Sequence, residues 1–303
     1  MDKIHLFLNG ERGIAVAEGL LQAGHGIAMA YVLTQITGSP EIVKRLAAIG
    51  LSTEETNDVN ETGFVKRLTK SCPRLLIVSG FPQIFRKPLL STAELGAINL
   101  HAGRLPMYRG GSPLNWQIIN GETEAGISIL KMGQNIDTGE ILAEARFPIG
   151  SNDCISDLQE RANKAFPDLV NDVVPQLENG TVKARPQDDD QAMYWHQRND
   201  EDGLIDWNRM SAGEIDRLVR AVTRPYPGAF THWRKQTVRI YAVEPSGQII
   251  RGVPGRVCYV QGEGPYVVCA DHALLLRDYV IESKPEEKLP SGAHLGTESS
   301  QDG

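Results

Sequence analysis

Leu75-Leu76-Ile77-Val78 is a run of four apolar, β-favouring residues with no polar residue between them. A strand that is covered on one face alternates apolar and polar side chains, whereas a strand in the middle of a parallel sheet is apolar on both faces. The run therefore predicts a central parallel strand with helices packed on both sides.

The chain around this run alternates between strand and helix patterns. Further short strands are predicted at Ile4–Leu8, Ile27–Leu33 and Ala97–Leu100. The helices predicted between them extend from Gly10 to about Gly24, over Pro40–Ile49 and over Glu61–Ser71. Strands that alternate with helices predict an α/β fold with a doubly wound, Rossmann-like parallel sheet.

Two more strands, Ile127–Met132 and Ile141–Phe147, flank a polar loop over Gly133–Glu140. Helical spacing of apolar residues then extends from Ile155 to Leu177.

Pro167 and Pro175 lie inside this helical pattern and are expected to kink or divide the helix, because proline lacks a backbone N–H. The polar stretch Thr181–Asp190 shows neither period and is interpreted as a linker. We therefore expect a first domain over residues 1–190.

The second half changes from the helical to the strand pattern. After a short helix over Ala212–Thr223, short strands separated by glycine- and proline-bearing turns are predicted at Val238–Val243, Gly255–Val260, Tyr266–Ala270 and Ala273–Val280. This spacing predicts a small OB-like β-barrel domain over residues 205–282. Residues 283–303 are charged and rich in glycine and serine, and we expect them to form a disordered tail.

The composition is that of an ordinary globular protein, with 41% hydrophobic and 23% charged residues. The net charge of −7 argues against a protein that binds a nucleic-acid backbone. No apolar run approaches membrane-spanning length, so no membrane association is expected. The four cysteines form no C-x-x-C pair, which disfavours a disulfide framework or a zinc site and favours a cytoplasmic location.

Asn99 and His101 are two residues apart at a strand end, so their side chains leave the same face. Ligands of open α/β sheets bind at the carboxyl ends of the strands. A histidine can transfer protons near neutral pH, and an asparagine amide can donate to a developing oxyanion. Asp137, in the loop between the next two strands, is the candidate carboxylate to orient the imidazole.

Each of these residues also has a purely structural interpretation. Asn99 and His101 could cap a strand end, and Asp137-Thr138-Gly139 is a common hairpin turn. Spacing alone leaves both interpretations open.

A longer motif adds to this pattern. Asn99-x-His101 precedes Leu105-Pro106-x-Tyr108-Arg109-Gly110-x-x-Pro113-x-x-Trp116, and Asp137-Thr138-Gly139-x-Ile141-Leu142 follows. This arrangement resembles the formyltransferases that use N10-formyltetrahydrofolate. The resemblance implies an Asn99–His101–Asp137 catalytic triad, formyl transfer to a primary amine and no metal.

The resemblance also implies where the folate binds, and the sequence offers candidate residues for the acceptor, among which Arg220 and Arg224 could equally be solvated helix-end arginines. The pterin is expected between the Ser79–Ile84 loop and the Asp137 loop, with cofactor-binding residues Gly80, Phe81, Gln83, Ile84, Asn135 and Gly139. The residues expected to bind the acceptor are Arg109, Gly110, Ser112, Pro113, Arg220, Arg224 and Tyr226.

Two features of the sequence limit which acceptor the enzyme can use: the segment 220–230 and the charge of the second half. Arg-Ala-Val-Thr-Arg-Pro-Tyr-Pro-Gly-Ala-Phe (220–230) is more similar to formyltransferases of nucleotide-linked amino sugars than to methionyl-tRNA formyltransferases. From Glu201 to Gly303 there are 12 Lys and Arg against 14 Asp and Glu, so this half is not basic. The segment Thr34–Glu41 holds no basic residue, although the tRNA enzymes carry a basic insertion at this place. Both observations count against tRNA, because its binding depends on Lys and Arg that contact phosphates.

We therefore expect a nucleotide-linked amino sugar as the acceptor, without nucleic acid. The alternatives left open are a methionyl-tRNA formyltransferase, an enzyme that formylates a free amino acid such as ornithine or hydroxyornithine, and a catalytically silent binding module. A homodimer is also left open, since the β-rich second half has edges that could pair.

Overall fold

The computed structural model describes residues 3–35 and 38–296. The chain divides into two compact units. The first comprises Met1–Pro113, Glu124–Pro148 and Gln159–Trp195, and the second Leu114–Thr123, Ile149–Leu158 and His196–Gly303. Two short segments from the first half of the chain thus belong to the second unit, whereas the domain limits expected from the sequence were continuous.

The first unit is built on a seven-stranded mixed sheet. The strands of this unit are β1 (Ile4–Leu8), β2 (Ile27–Leu33), β3 (Thr53–Thr56), β4 (Leu75–Ser79), β5 (Ala97–His101), β6 (Arg109–Gly110), β7 (Glu124–Lys131), β8 (Ile141–Pro148) and β9 (Tyr194–Trp195). The sheet order is β3-β2-β1-β4-β5-β7-β8, and β6 pairs separately with β9.

The central position of β4 confirms the prediction from its unbroken apolar run. Strands β1 to β5 pair in parallel, as predicted, whereas β7 pairs antiparallel with both β5 and β8. The sheet is therefore mostly parallel, with an antiparallel edge. The connection between β7 and β8 is too short for the crossover that a parallel pair requires.

Five of the seven α-helices in the described residues agree closely with predicted segments. The seven are α1 (Gly10–Gln22), α2 (Ser39–Ala48), α3 (Thr62–Lys70), α4 (Lys87–Leu90), α5 (Pro113–Ile119), α6 (Ile155–Glu178) and α7 (Ala212–Val222). The short helices α4 and α5 were not predicted. Helix α6 continues through Pro167 and Pro175, so the expected division is wrong. Burial of Phe166, Val170 and Val173 on this helix offsets the backbone hydrogen bonds that the prolines remove. No helix within residues 3–35 and 38–296 is long and apolar enough to cross a membrane.

An aromatic cluster anchors the loop that follows β4. Phe7 on β1 makes edge contacts with Phe81 and Phe85, at ring-centroid distances of 5.6 Å and 4.8 Å. Phe7 also stacks on Tyr31, at 4.7 Å. Such aromatic packing gives about 0.5–1.5 kcal/mol per pair beyond area burial and holds the start of this loop at the carboxyl edge of the sheet.

The second unit contains a five-stranded antiparallel sheet. Its strands are β10 (Ala229–Trp233), β11 (Gln236–Pro245), β12 (Val257–Val260), β13 (Glu263–Val268) and β14 (Ala273–Ile281). The order is β10-β11-β14-β13-β12, which places β10 and β12 at the two edges. Strand β10 was not predicted.

The segment Gly292–Gly296 bonds to both edges of this sheet. The Gly296 N–H donates to His232 O in β10, and the Val257 N–H in β12 donates to Ala293 O, both at 2.8 Å. The segment thereby closes the sheet into a barrel-like ring.

This closing segment lies in the stretch that was expected to be a disordered tail. Residues 283–296 instead pack on the barrel, because they bury Leu289 and Leu295, at 0% and 2% exposure. Residues 297–303 lie outside the described residues.

Candidate active site

The carboxyl end of β5 carries the first two site residues. Asn99 pairs with Leu130 of β7, and His101 pairs with Ser128. Because side chains alternate along a strand, Asn99 and His101 leave the same face. The Ser128 hydroxyl donates to Gly103 O at 2.8 Å and holds the chain just beyond His101.

The loop between β7 and β8 brings Asp137 to these two residues. Asn99 Nδ2 donates to Asp137 Oδ1 at 3.3 Å, and His101 Nδ1 lies 3.5 Å from Oδ2. The Gly110 N–H also donates to Oδ2, at 2.9 Å. The His101 and Asp137 side chains are only 6% and 10% exposed. The three residues that the sequence singled out therefore form one buried constellation.

Asp137 adopts an unusual backbone conformation. Its φ of +54° lies in the left-handed region, which costs a non-glycine residue about 1–2 kcal/mol. Nearby, Gly139 leaves no room for a side chain, since an added Cβ would fall 1.8 Å from Lys131 O. The loop is thus held tightly against the end of β7.

The hydrogen bonds of His101 assign its ring nitrogens different roles. Nε2 lies 2.6 Å from Tyr108 O, and because a carbonyl only accepts, Nε2 carries a proton. Nδ1 is then the nitrogen that faces Asp137 and can gain or lose a proton. Gly103 allows this arrangement, because a Cβ there would lie 2.5 Å from Nε2 and 2.6 Å from Tyr108 O.

This arrangement suits acyl transfer to an amine. The second N–H of the Asn99 amide is available to donate to a developing oxyanion, in addition to the bond with Asp137. Nδ1 of His101 can exchange a proton while Asp137 stabilises the imidazolium. In residues 3–35 and 38–296 we find no group of three or more His, Cys, Asp or Glu side chains that could hold a metal ion.

The residues expected to bind the pterin occupy varied positions. Phe81 is 8% exposed and belongs to the aromatic core. The side chain of Gln83 ties its loop to the loop after β3, since it accepts from Val59 N and donates to Asn57 O. Ile84 is 63% exposed, and Asn135 is exposed in the Asp137 loop. Gly80 adopts a φ of +68°, and a Cβ added there would lie 3.3 Å from Asn9 O.

The acceptor residues expected in the first unit are mostly engaged by the protein. Arg109 is 2% exposed, and its guanidinium donates to Gln187, Tyr194 and Asp189. The backbone of Gly110 bonds to Asp137, as described above. Ser112, with a φ of +49°, and Pro113, at the start of α5, are half-buried. Direct contact of these residues with an acceptor stays a prediction.

The other three lie in the second unit, on or after α7. Arg220 donates to Asp216 and to Asp153 O, at 2.8 Å and 2.7 Å. Arg224 pairs with Asp278 at 2.6 Å and stacks over Tyr241. Tyr226 is half-buried.

Sequence reasoning missed the segment that follows α6. The stretch interpreted as a linker pairs with β8 through Arg185 and Ile141, and it carries Gln187, which contacts the Asp137 loop. It shows no helical or strand period, because its side chains are fixed by individual polar contacts. Its only sequence signal was the cluster of hydrogen-bonding side chains from Gln187 to Gln191.

Comparisons with known proteins identify the family. The model of the formyl transferase family matches residues 32–174, and the model of the formyl transferase C-terminal domain matches residues 198–291. A methionyl-tRNA formyltransferase from Geobacter sulfurreducens is 34% identical over 231 residues, which cover 76% of this chain and 71% of that protein.

Solved structures share the fold at lower identity. HypX from Aquifex aeolicus in complex with tetrahydrofolic acid superposes with a TM-score of 0.67 at 18% identity, over 92% of this chain but only 44% of HypX. An N-formyltransferase from Helicobacter canadensis in complex with folinic acid and dTDP-3-aminofucose superposes with a TM-score of 0.66 at 17% identity, over 91% of this chain and 99% of that one. With the two matching domain models, these findings establish that the chain belongs to the formyl transferase family and is a formyltransferase.

Proposed function

We propose that this enzyme transfers the formyl group of N10-formyltetrahydrofolate to the primary amine of a nucleotide-linked amino sugar. The observation that carries the proposal is the convergence of the Asn99 amide, the His101 imidazole and the Asp137 carboxylate at the carboxyl edge of the sheet. This group provides an oxyanion donor and a proton carrier, which are the functions that direct formyl transfer requires.

The formyl donor fits the chemistry of the two loops beside the triad. Ile84 and Ile136 project apolar surface from these loops, at 63% and 51% exposure. Exposed apolar side chains next to polar groups are typical of a site that holds a flat ring system. In addition, two proteins of this fold were solved with a folate, HypX with tetrahydrofolic acid and the Helicobacter canadensis enzyme with folinic acid.

In the proposed mechanism the folate supplies the formyl carbon that the acceptor amine attacks. Asn99 donates an N–H to the oxygen as negative charge develops on it. His101 Nδ1 moves the proton that the amine loses toward the departing nitrogen, and Asp137 stabilises the imidazolium. Tyr108 O keeps the ring in one orientation throughout, because it binds Nε2.

The charges of the second unit favour a small acceptor over tRNA. Arg239 pairs with Asp200 and Glu282 at 2.6 Å and 2.7 Å, and Arg277 pairs with Glu244 at 2.6 Å. The hydrogen bonds from Arg239 hold the pKa of Asp200 below its ordinary value, so the carboxylate stays charged and cancels the arginine. Arginines that are neutralised in this way contribute little to binding phosphates.

A second candidate function is formylation of methionyl-tRNA. It is favoured by the 34% identity with the Geobacter sulfurreducens enzyme, which is higher than the identity with the superposed sugar enzyme. That identity is a single figure over 231 residues and does not separate the residues that bind the acceptor from the rest. It therefore bears less on the acceptor than the charges do.

The test is formyl transfer from N10-formyltetrahydrofolate to a panel of acceptors at one salt concentration. The panel contains nucleotide-linked 3-amino and 4-amino sugars, ornithine, hydroxyornithine and charged initiator tRNA. Turnover confined to a nucleotide-linked sugar supports the proposal and identifies the sugar. Turnover on tRNA alone rejects it in favour of the second candidate, and turnover on ornithine or hydroxyornithine alone rejects it in favour of an amino-acid acceptor.

A further inference from the structure

The side chain of Gln187 holds both ends of the turn that carries Asp137. Its Nε2 atom donates to Asp137 O and to Gly139 O, both at 2.7 Å. The two N–H groups of one amide thus satisfy two carbonyls that lie two residues apart. These bonds fix the backbone on either side of Thr138, the stretch in which Asp137 adopts its positive φ.

Gln187 is in turn fixed by Arg109. Its Oε1 atom accepts from Arg109 Nε at 3.0 Å, so the amide orientation is determined. The rest of the guanidinium binds Tyr194 and Asp189, at 2.9 Å and 2.7 Å. Arg109 is 2% exposed, so water competes little for its Nε, whereas its partners Tyr194 and Asp189 are 62% and 82% exposed.

The strand that contains Arg109 also binds the side chain of Asp137. Arg109 and Gly110 form β6, which pairs with β9, and the Gly110 N–H donates to Asp137 Oδ2. The guanidinium of Arg109 supports the turn through Gln187, while the next residue binds the carboxylate directly. Both supports therefore depend on one short strand.

From this we propose that Gln187 is a positioning residue that holds the catalytic carboxylate of Asp137 in place through the carbonyls of Asp137 and Gly139. The inference rests on the catalytic role proposed for Asp137. A shift of about 1 Å in a catalytic group can cost roughly a hundredfold in rate, so partial release of this turn is expected to lower turnover by about tenfold or more.

The sharpest variant is Gln187→Glu. It keeps the volume of the side chain and adds an ion pair with Arg109, but it removes both N–H donors from the two carbonyls. We expect a protein that stays folded at the assay temperature, a kcat lowered about tenfold or more and unchanged KM values for both substrates. Gln191→Glu is the matched control. Gln191 is exposed, and its side chain donates to Asp188 rather than to the turn of Asp137.

A second readout does not depend on the acceptor. Hydrogen exchange of the Gly110 amide reports its bond to Asp137 Oδ2. Gln187→Glu should therefore speed this exchange by more than any change in global stability explains. Gln187→Leu, which removes all three hydrogen bonds, should show the same acceleration, and Gln191→Glu should not.

Unchanged exchange of Gly110 in Gln187→Glu, or unchanged kcat, overturns the inference. A kcat that falls only in proportion to the unfolded fraction overturns it as well. Should Asp137→Asn retain full turnover, the catalytic role of Asp137 fails instead, and the exchange of Gly110 still decides whether Gln187 holds the turn.

Discussion

His101 Nδ1 lies 3.5 Å from Asp137 Oδ2, although 35 residues separate the two in the chain. The contact forms because β5 delivers the histidine and the loop between β7 and β8 delivers the aspartate to the same edge of the sheet. The carboxylate faces Nδ1 at a site where the two side chains are only 6% and 10% exposed.

This relationship predicts a large effect of Asp137→Asn. The amide keeps the size of the side chain but cannot stabilise the imidazolium, so turnover should fall by roughly 10²- to 10⁴-fold. Steady-state kinetics with N10-formyltetrahydrofolate measure it. Asp172→Asn, an exposed change on α6, is the control and should keep its rate. Near-normal turnover of Asp137→Asn would remove this residue from the catalytic group.

Gly103→Ala should disable the enzyme through His101. The new Cβ would lie 2.5 Å from His101 Nε2 and 2.6 Å from Tyr108 O, so the hydrogen bond between them has to break. We expect kcat to fall by about a hundredfold as the imidazole moves. Gly247→Ala is the control, because nothing lies within 4 Å of its added Cβ. Equal kcat values for the two variants would show that the bond to Tyr108 does not orient the ring.

Stability should fall in acid because of His5, a residue of β1. His5 is 2% exposed, its ring is bound by Tyr31 and Ser71, and burial holds its pKa below the ordinary value of 6.5. Below that value the unfolded chain binds a proton that the folded chain does not, so stability rises with pH in this range. The stabilisation that the folded protein gains from a neutral His5 is complete above pH about 6.5 and is lost as the pH falls below that value.

The measurement is the free energy of unfolding in urea between pH 5 and 8. His5→Gln does not titrate, so its stability should depend less steeply on pH below about 6.5 than that of the original protein. Parallel curves for the two proteins would exclude His5 as the source of the acid sensitivity.

Leu289→Ala should destabilise the second unit. Leu289 is 0% exposed, its carbonyl accepts from the Tyr259 hydroxyl and its N–H donates to the Tyr279 hydroxyl. Truncating a buried leucine costs about 2–5 kcal/mol. Thermal unfolding followed by circular dichroism measures the loss, with Val253→Ala, at 58% exposure, as the control. Equal midpoints for the two variants would mean that residues 283–296 contribute nothing to the barrel.

The sequence by itself determined the layout of the first unit. Strong local patterns, such as the unbroken apolar run of β4 and the helical spacing of α3, gave both the type of element and nearly its limits. Edge and short strands escaped prediction, because β3 (Thr-Glu-Glu-Thr) and β10 hold too few apolar residues in a regular period. The continuity of α6 also depended on packing, which no local rule for proline includes.

For the site, the sequence determined which residue types were available and, through the spacing of Asn99 and His101, that two of them share a face. Only the tertiary structure decided that Nε2 of His101 is bound by Tyr108, that Arg109 is buried and that Gln187 reaches the turn of Asp137. These contacts join residues 7 to 78 positions apart. They arise from how the chain folds back on itself rather than from any local preference, and so they leave no periodic signal in the sequence.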